Sequence, residues 1–168
     1  MSKRLWFTLL ELLMVMVIMG ILLAMTMNFG ADRVKDLDRQ SVSNQFIDTF
    51  NSLVGQARSS SYLYNQKFSK LIVHFNIWDH ALVSSLSGSS THVLYTWFES
   101  SVFTIDHISV NNLLLSGLNV IITPYAIGCQ VQSSFSASGF VLSTHIKDTP
   151  YCYHLDSALC VLKKTECR

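Results

Sequence analysis

Glu11 is the residue whose position most constrains its chemistry. It is the one charged residue between Phe7 and Met27, a stretch of 21 residues that is otherwise largely apolar. A carboxylate inside a lipid bilayer costs a few kcal/mol and usually persists there only with a partner. The sequence has no Lys, Arg or His between Phe7 and Phe29. A cation for Glu11 must therefore come from outside this segment or from a new chain terminus, which a cut before Phe7 would create.

The four cysteines are the second group with chemistry of their own. Cys129, Cys152, Cys160 and Cys167 all lie in the last quarter of the chain. Disulfides form there if this part of the chain reaches an oxidising compartment. Four cysteines allow three complete pairings, and the sequence alone does not choose among them. Strand alternation would put Cys152 and Cys160 on one face of a hairpin, which makes that pair one candidate.

Other reactive side chains do not form a recognisable site in the sequence. The six histidines lack the short His and Cys spacings of metal ligands, so we expect no metal and no cofactor. Asp106 and His107 beside abundant serine suggest a hydrolase, but the sequence contains no Gly-x-Ser-x-Gly segment. Solvated strand residues are the better interpretation, and we predict that the protein is not an enzyme.

The charge balance argues against nucleic acid as a partner. From residue 29 to residue 168 the chain has ten Lys or Arg and ten Asp or Glu, so this part is neutral overall. Lys163, Lys164 and Arg168 make a small basic end, but Glu166 lies among them. An ordinary solvated tail is favoured over DNA binding.

The element that carries Glu11 is predicted to be a membrane helix. At a rise of about 1.5 Å per residue, the apolar stretch spans roughly 30 Å, the hydrocarbon thickness of a bilayer. It is longer than the apolar core of a secretory signal peptide. Lys3 and Arg4 precede it, so we predict a cytoplasmic N-terminus and an extracytoplasmic C-terminal part. The predicted segments are a leader over 1–6, a transmembrane helix over 7–28 and an amphipathic continuation over 29–60.

The periodicity of the remaining sequence changes from helix to strand. Phe46, Phe50 and Leu53 recur at helical spacing, within one long helix predicted from Phe7 to Ser60 and weakened near Gly30. From residue 68 onward the apolar residues alternate, as in half-buried strands. Serine-rich stretches over 84–91 and 132–138 are interpreted as loops. The fold class is therefore α+β, with a long N-terminal helix packed on a C-terminal antiparallel sheet over 61–168.

The residues from Phe7 to Leu22 resemble the N-terminus of type IV pilins and of the pseudopilins of type II secretion. They combine a short basic leader, a Phe-Thr-Leu-x-Glu start and Gly20 fourteen positions into the apolar helix. The resemblance implies that prepilin peptidase cuts before Phe7 and that the new amine is methylated. It implies that Glu11 pairs with the amine of a neighbouring subunit, and that the partners are other subunits and the membrane machinery that assembles the filament.

The same resemblance bears on the C-terminal disulfide. Many pilins close their C-terminal region with a disulfide, which makes Cys152 with Cys167 the preferred pair here. Closing a loop of that size typically stabilises a protein by about 3 kcal/mol. A filament subunit of this class would have a pilin-like fold, with its C-terminal part in the periplasm or at the cell surface.

Trp6 departs from the family pattern, in which glycine precedes the cut. One interpretation is that a bulky indole blocks cleavage, which leaves a single-pass membrane protein that displays a surface binding domain. Another is translational, because some lineages read UGA as glycine where a different code assigns tryptophan. The modest glycine content, 7 of 168 residues, favours the second hypothesis weakly. The codon for Trp6 distinguishes the two.

Overall fold

A computed structural model describes residues 9–88, 94–132 and 139–167, apart from the side chains of residues 27–32. It divides the chain into two compact units, Met1–Gln40 and Ser41–Arg168. The predicted leader, which ends at Trp6, and Phe7 after it lie outside the described residues. The α+β class predicted from the sequence is confirmed, because a long helix precedes a set of antiparallel strands.

Helix α1 (Leu9–Ser59) is 51 residues long. Its backbone runs through Gly30 without interruption. Arg58 lies in the last turn, where a positive charge favours the negative end of the helix dipole. Just beyond the end, the Ser60 hydroxyl accepts a hydrogen bond from the Tyr62 backbone N–H at 2.9 Å.

Within the first unit, the side chains from Leu9 to Thr26 are all exposed. The polar stretch that follows includes an ion pair between residues about one helical turn apart, with Arg39 Nη1 at 3.0 Å from Asp36 Oδ1. Both apolar and charged side chains of this stretch are solvent-facing, including Val34 and Leu37. None of the described side chains of this unit is buried, so they form no hydrophobic core within it.

The second unit has the hydrophobic core, and the last part of α1 is one of its walls. The helical spacing predicted the buried face correctly: Phe46, Phe50 and Leu53 are all buried. The Phe46 ring has four aromatic neighbours, and the centroids of two of them, Phe103 and Tyr153, lie 4.8 Å and 5.0 Å from its own. Aromatic pairs at such distances contribute about 0.5–1.5 kcal/mol each beyond the area that they bury.

Within the described residues, the strands form two five-stranded antiparallel sheets and one small hairpin. The hairpin pairs β1 (Tyr62–Leu63) with β2 (Gln66–Lys67). The remaining strands are β3 (Lys70–Asn76), β4 (Ala81–Ser87), β5 (Leu94–Glu99), β6 (Phe103–Val110), β7 (Leu113–Leu115), β8 (Gly117–Ile122), β9 (Gln130–Gln132), β10 (Gly139–Ile146), β11 (Thr149–Asp156) and β12 (Val161–Thr165). We call the sheet with order β12-β11-β10-β6-β7 the first sheet and the sheet with order β5-β4-β3-β8-β9 the second sheet.

Two expectations from the sequence are corrected here. The strands make two main sheets instead of one, and both contribute side chains to the core cluster that includes the helix. The serine-rich segment over 84–91 is not wholly a loop, because β4 extends to Ser87. Leu82, Ser84 and Leu86 alternate inward, and the buried Ser84 hydroxyl donates to Tyr95 O at 3.4 Å. Residues 89–91 and 133–138 of the two predicted loops lie outside the described residues.

Candidate functional site: the apolar helix and its carboxylate

The N-terminal part of α1 is long and apolar enough to cross a membrane. Its most apolar window, Leu9–Thr26, is 18 residues long with a mean hydropathy of 2.5. At about 1.5 Å per residue this window measures roughly 27 Å along the helix axis. None of it is buried against the described protein. An exposed apolar surface of this extent needs a lipid or protein environment.

Glu11 lies in the first described turn of α1 and is the one charged residue of Leu9–Thr26. Thr26, near the other end, satisfies its hydroxyl within the helix by donating to Leu22 O at 3.1 Å and Leu23 O at 3.0 Å. The ionised Glu11 carboxylate cannot bond to helix carbonyls in this way, because both groups accept hydrogen bonds and neither donates one. Trp6 and Phe7 lie outside the described residues, so their positions relative to Glu11 remain predictions.

Gly20 leaves an open notch on the same apolar segment. A Cβ atom built at Gly20 would meet no other atom within 4 Å. Small residues on membrane helices allow a second helix to approach closely. The described residues therefore offer two features to a partner in the apolar layer, a carboxylate and a notch.

All four cysteines form disulfides. Cys152 is bonded to Cys167 with a Cα–Cα distance of 5.2 Å, and Cys129 to Cys160 with 5.3 Å. The loops that they close have sequence separations of 15 and 31 residues, for which loop entropy gives roughly 3–4 kcal/mol each. Both bridges belong to the β-rich part of the chain.

The alternative pair, Cys152 with Cys160, does not form because the two residues lie at opposite ends of the β11–β12 hairpin. Cys152 is opposite Thr165, whereas Cys160 lies in the turn, where it has a φ of 50°. Four residues of strand separate Cys152 from Asp156 at the turn, which is about 13 Å. Cys160 instead meets Cys129, whose backbone N–H donates to Ser157 O at 2.9 Å. Sequence reasoning did not identify this second pair, because it depends on a loop from the other sheet.

Two histidines, His145 and His74, have hydrogen-bonded side-chain partners on the sheets. His145 Nδ1 is hydrogen-bonded to the Asp106 carboxylate, so Asp106 pairs with His145 and not with its neighbour His107. On the second sheet, His74 Nδ1 lies 2.8 Å from Asn119 Oδ1 and its Nε2 lies 3.0 Å from Ser85 Oγ.

The row Ser85, His74 and Asn119 has the order of a nucleophile, a base and an orienting amide. The strand register explains the row. His74 is directly opposite Asn119 on β8, and it is diagonal to Ser85 on β4, since Ser85 is opposite Ile72. Within the described residues, no group of three or more His, Cys, Asp or Glu could hold a metal ion.

Side chains near the end of α1 tie the helix to the last strand and turn of the chain. The Asn51 carboxamide binds both backbone groups of Leu162: its Nδ2 donates to Leu162 O at 3.3 Å and its Oδ1 accepts from Leu162 N at 3.1 Å. Arg58 Nη2 donates to Leu159 O. The Asn51 pair caps part of the edge of β12, which would otherwise present unpaired backbone groups. These contacts could not be predicted from local patterns, because the partners are 111 and 101 residues apart.

The fold and the site define an α+β protein with an N-terminal apolar helix that could anchor it in a membrane. Comparison with protein-family models, with curated proteins and with solved structures gives no match for this chain. Its function must therefore be inferred from its own residues.

Proposed function

We propose that this protein is a structural subunit, of the minor pilin or pseudopilin kind, of a type IV pilus or a type II secretion-like filament. The apolar part of α1 is held in the cytoplasmic membrane before assembly and in the filament core afterwards. The β-rich unit faces the periplasm or the cell surface. Lys3 and Arg4 before the helix favour this orientation. Two disulfides in the β-rich part are consistent with an oxidising compartment.

The observation that carries the proposal is the lone carboxylate of Glu11 in an exposed apolar helix. Such a charge costs a few kcal/mol in lipid, so a protein that keeps it needs a cation to offset the cost. No basic residue of the apolar segment can supply it, because Leu9–Thr26 contains none. A second copy whose chain starts at Phe7 would bring an amine. Phe7 and Glu11 are four residues apart, so an axial shift of about one helical turn would align the amine of one copy with the carboxylate of the next.

Assembly then follows from helix packing. Leu and Met side chains of Leu9–Thr26 supply the contact area, and the notch at Gly20 lets a neighbouring helix approach. Prepilin peptidase would prepare the chain by cutting between Trp6 and Phe7, after which the amine of Phe7 is methylated. The partners are other subunits of the filament, the peptidase and the assembly machinery in the membrane.

Replacement of Glu11 tests this proposal in cells that build such filaments. We expect Glu11→Ala and Glu11→Gln to lower the amount of assembled filament at least about tenfold, which corresponds to losing about 1.4 kcal/mol per contact. Leu12→Ala is the matched control, because it removes apolar area from the next position and leaves the carboxylate. Membrane levels of each variant are measured by immunoblot, so that loss of protein is separated from loss of assembly. Wild-type filament yield from Glu11→Ala would reject the role of this carboxylate.

Trp6 favours a second candidate, an uncleaved single-pass protein that displays its β-rich unit for binding at the cell surface. Co-expression with a prepilin peptidase distinguishes the two, with the wild type and Trp6→Gly compared by N-terminal sequencing. A new N-terminus at Phe7 in the wild type supports the filament subunit. Cleavage of the Trp6→Gly variant alone supports the uncleaved protein or the reading of codon 6 as glycine, and an intact leader in both rejects processing.

A further inference from the structure

Two adjoining depressions lie on the second unit, beside the last turns of α1 and the β1–β2 hairpin. The first has a volume of about 550 Å³ and is lined by residues of the helix end and the hairpin, among them Gln56, Tyr62 and Tyr64. The second, of about 440 Å³, shares Gln56 and Tyr64 with the first and continues along the helix to Asp48. We call the two depressions together the tyrosine groove.

The aromatic residues of the groove are fixed and partly exposed. The rings of Tyr64 and Tyr95 stack with centroids 4.2 Å apart and an angle of 16° between their planes. The Tyr64 hydroxyl is also hydrogen-bonded to the buried Ser84. Even so, 43% of Tyr64 and 58% of Tyr62 remain exposed. Stacking and the hydrogen bond hold Tyr64 in place before any ligand arrives, which lowers the entropy cost of binding.

The backbone holds Tyr64 in an unusual conformation. Tyr64 and Asn65 form the two-residue turn between β1 and β2, with φ angles of 50° and 61°. Such a turn requires two left-handed residues, a role that usually falls to Asn and Gly. A bulky aromatic residue at positive φ is uncommon and persists only where its surroundings impose it. The neighbouring Leu63 does so, because it is buried in the core and anchors the hairpin.

The polar lining of the groove is neutral. The amide of Gln56 and the hydroxyls of Ser52 and Ser59 lie along the helix side of the groove, and Asn65 adds a second amide at the turn. Among the described residues that line the groove, Asp48 alone is charged. Amides and hydroxyls both donate and accept hydrogen bonds, as the hydroxyl groups of a sugar do.

We propose that the tyrosine groove binds a neutral oligosaccharide. A pyranose ring has an apolar face of C–H groups that fits the exposed face of a tyrosine, and a rim of hydroxyls that fits amides and hydroxyls. The groove has both kinds of surface, because tyrosine rings, amides and hydroxyls all line it. A single carboxylate and the absence of a lining cation, among the described residues, disfavour anionic ligands such as sialylated glycans. This binding goes beyond filament assembly and requires neither Glu11 nor cleavage before Phe7.

Saturation-transfer NMR on the full chain in lipid nanodiscs tests the proposal, since nanodiscs avoid glycoside detergents. The probes are maltotriose, cellotriose and triacetylchitotriose, with sialyllactose as the anionic comparison. We expect at least one neutral trisaccharide to bind, and Tyr64→Ala and Tyr62→Ala each to weaken it by about tenfold. Tyr125→Ala is the matched control, because Tyr125 is 73% exposed and lines neither depression.

The variants distinguish a lost site from a lost fold. Tyr62 is largely exposed, so Tyr62→Ala should keep the amide spectrum of the wild type even if Tyr64→Ala perturbs the turn. The proposal is overturned if none of the three neutral trisaccharides shows saturation transfer. It is also overturned if sialyllactose binds more tightly than all of them, or if Tyr62→Ala binds as well as Tyr125→Ala.

Discussion

The buried phenol of Tyr153 should make the stability of this protein fall steeply at alkaline pH. Tyr153 is fully buried, and its hydroxyl donates to Ser43 Oγ at 2.9 Å. Burial raises the pKa of Tyr153 from 10.0 to about 12, with hydrogen bonds to Ser43 and Thr144 opposing part of that rise. Above pH 10 the unfolded chain can release this proton while the folded chain retains it. The free energy of unfolding therefore decreases between about pH 10 and pH 12 and is unaffected by this group below that range.

The magnitude follows from the same values. A difference of two pKa units (12 − 10.0 = 2) corresponds to roughly 2–3 kcal/mol lost by pH 12, of which about 1.4 kcal/mol is lost by pH 11. At neutral pH, Tyr153→Phe removes one hydrogen bond and leaves the buried Ser43 hydroxyl without this partner, which costs about 1–2 kcal/mol. The variant has no phenol to titrate. Its stability should therefore equal that of the wild type near roughly pH 11 and exceed it at higher pH.

Denaturant unfolding of the full chain in detergent micelles, followed by near-ultraviolet circular dichroism between pH 7 and about pH 11, measures both effects. Tyr125→Phe is the control, since it removes an exposed hydroxyl and should change the free energy of unfolding by less than about 0.5 kcal/mol at neutral pH. A constant difference between the wild type and Tyr153→Phe over the whole pH range would refute the reasoning about the buried phenol.

Three further predictions follow from the backbone contacts and the unusual φ angles. Asn51→Ala should destabilise the protein by about 1–3 kcal/mol in denaturant unfolding, because it leaves two backbone groups of Leu162 without their partner. Trp78 has a φ of 67° and is 68% exposed, so Trp78→Gly should stabilise by up to about 1 kcal/mol. If UGA is read as glycine, sequencing of the gene should show UGA at codons 6 and 78, but UGG at codon 97, where the Trp97 ring packs in the core.

Each of the two substitutions has a matched control variant. Ser52→Ala changes an exposed residue next to Asn51 and should be close to neutral, so an equal effect of both variants would contradict the role of the Asn51 carboxamide. Trp97→Gly should destabilise by about 3–5 kcal/mol, opposite in sign to Trp78→Gly. UGG at codon 6 would remove the codon hypothesis.

Local patterns predicted individual elements of this fold well. The helical spacing of Phe46, Phe50 and Leu53 identified the buried face of α1, because side chains three and four residues apart share one face. Strand β10 (Gly139–Ile146) shows the alternation that predicted half-buried strands from residue 68 onward, because every second residue of it is buried. Strand β4 was partly missed, because the buried Ser84 replaces an apolar residue in the alternating pattern.

The features that depend on distant parts of the chain could not be predicted in the same way. Division of the strands into two sheets and the bridge from Cys129 to Cys160 depend on which strands and loops meet in space. The positive φ angles of Tyr64 and Trp78 are equally hidden, because neither residue type signals a left-handed turn. The tyrosine groove was therefore not visible in the sequence, whereas Glu11 was, since the apolar residues around it are consecutive.

The contact between Asn51 and Leu162 also affects the order in which the chain can fold. The ribosome makes the helix before β12, so the Asn51 carboxamide has no strand edge to bind while the 110 intervening residues are synthesised (162 − 51 − 1 = 110). Contacts over such separations form slowly, because the entropy of closing the loop is lost before they are gained. Until β11 arrives, Phe46 also lacks its contact with the Tyr153 ring, and a chaperone that shields this helix face would protect the nascent chain from aggregation.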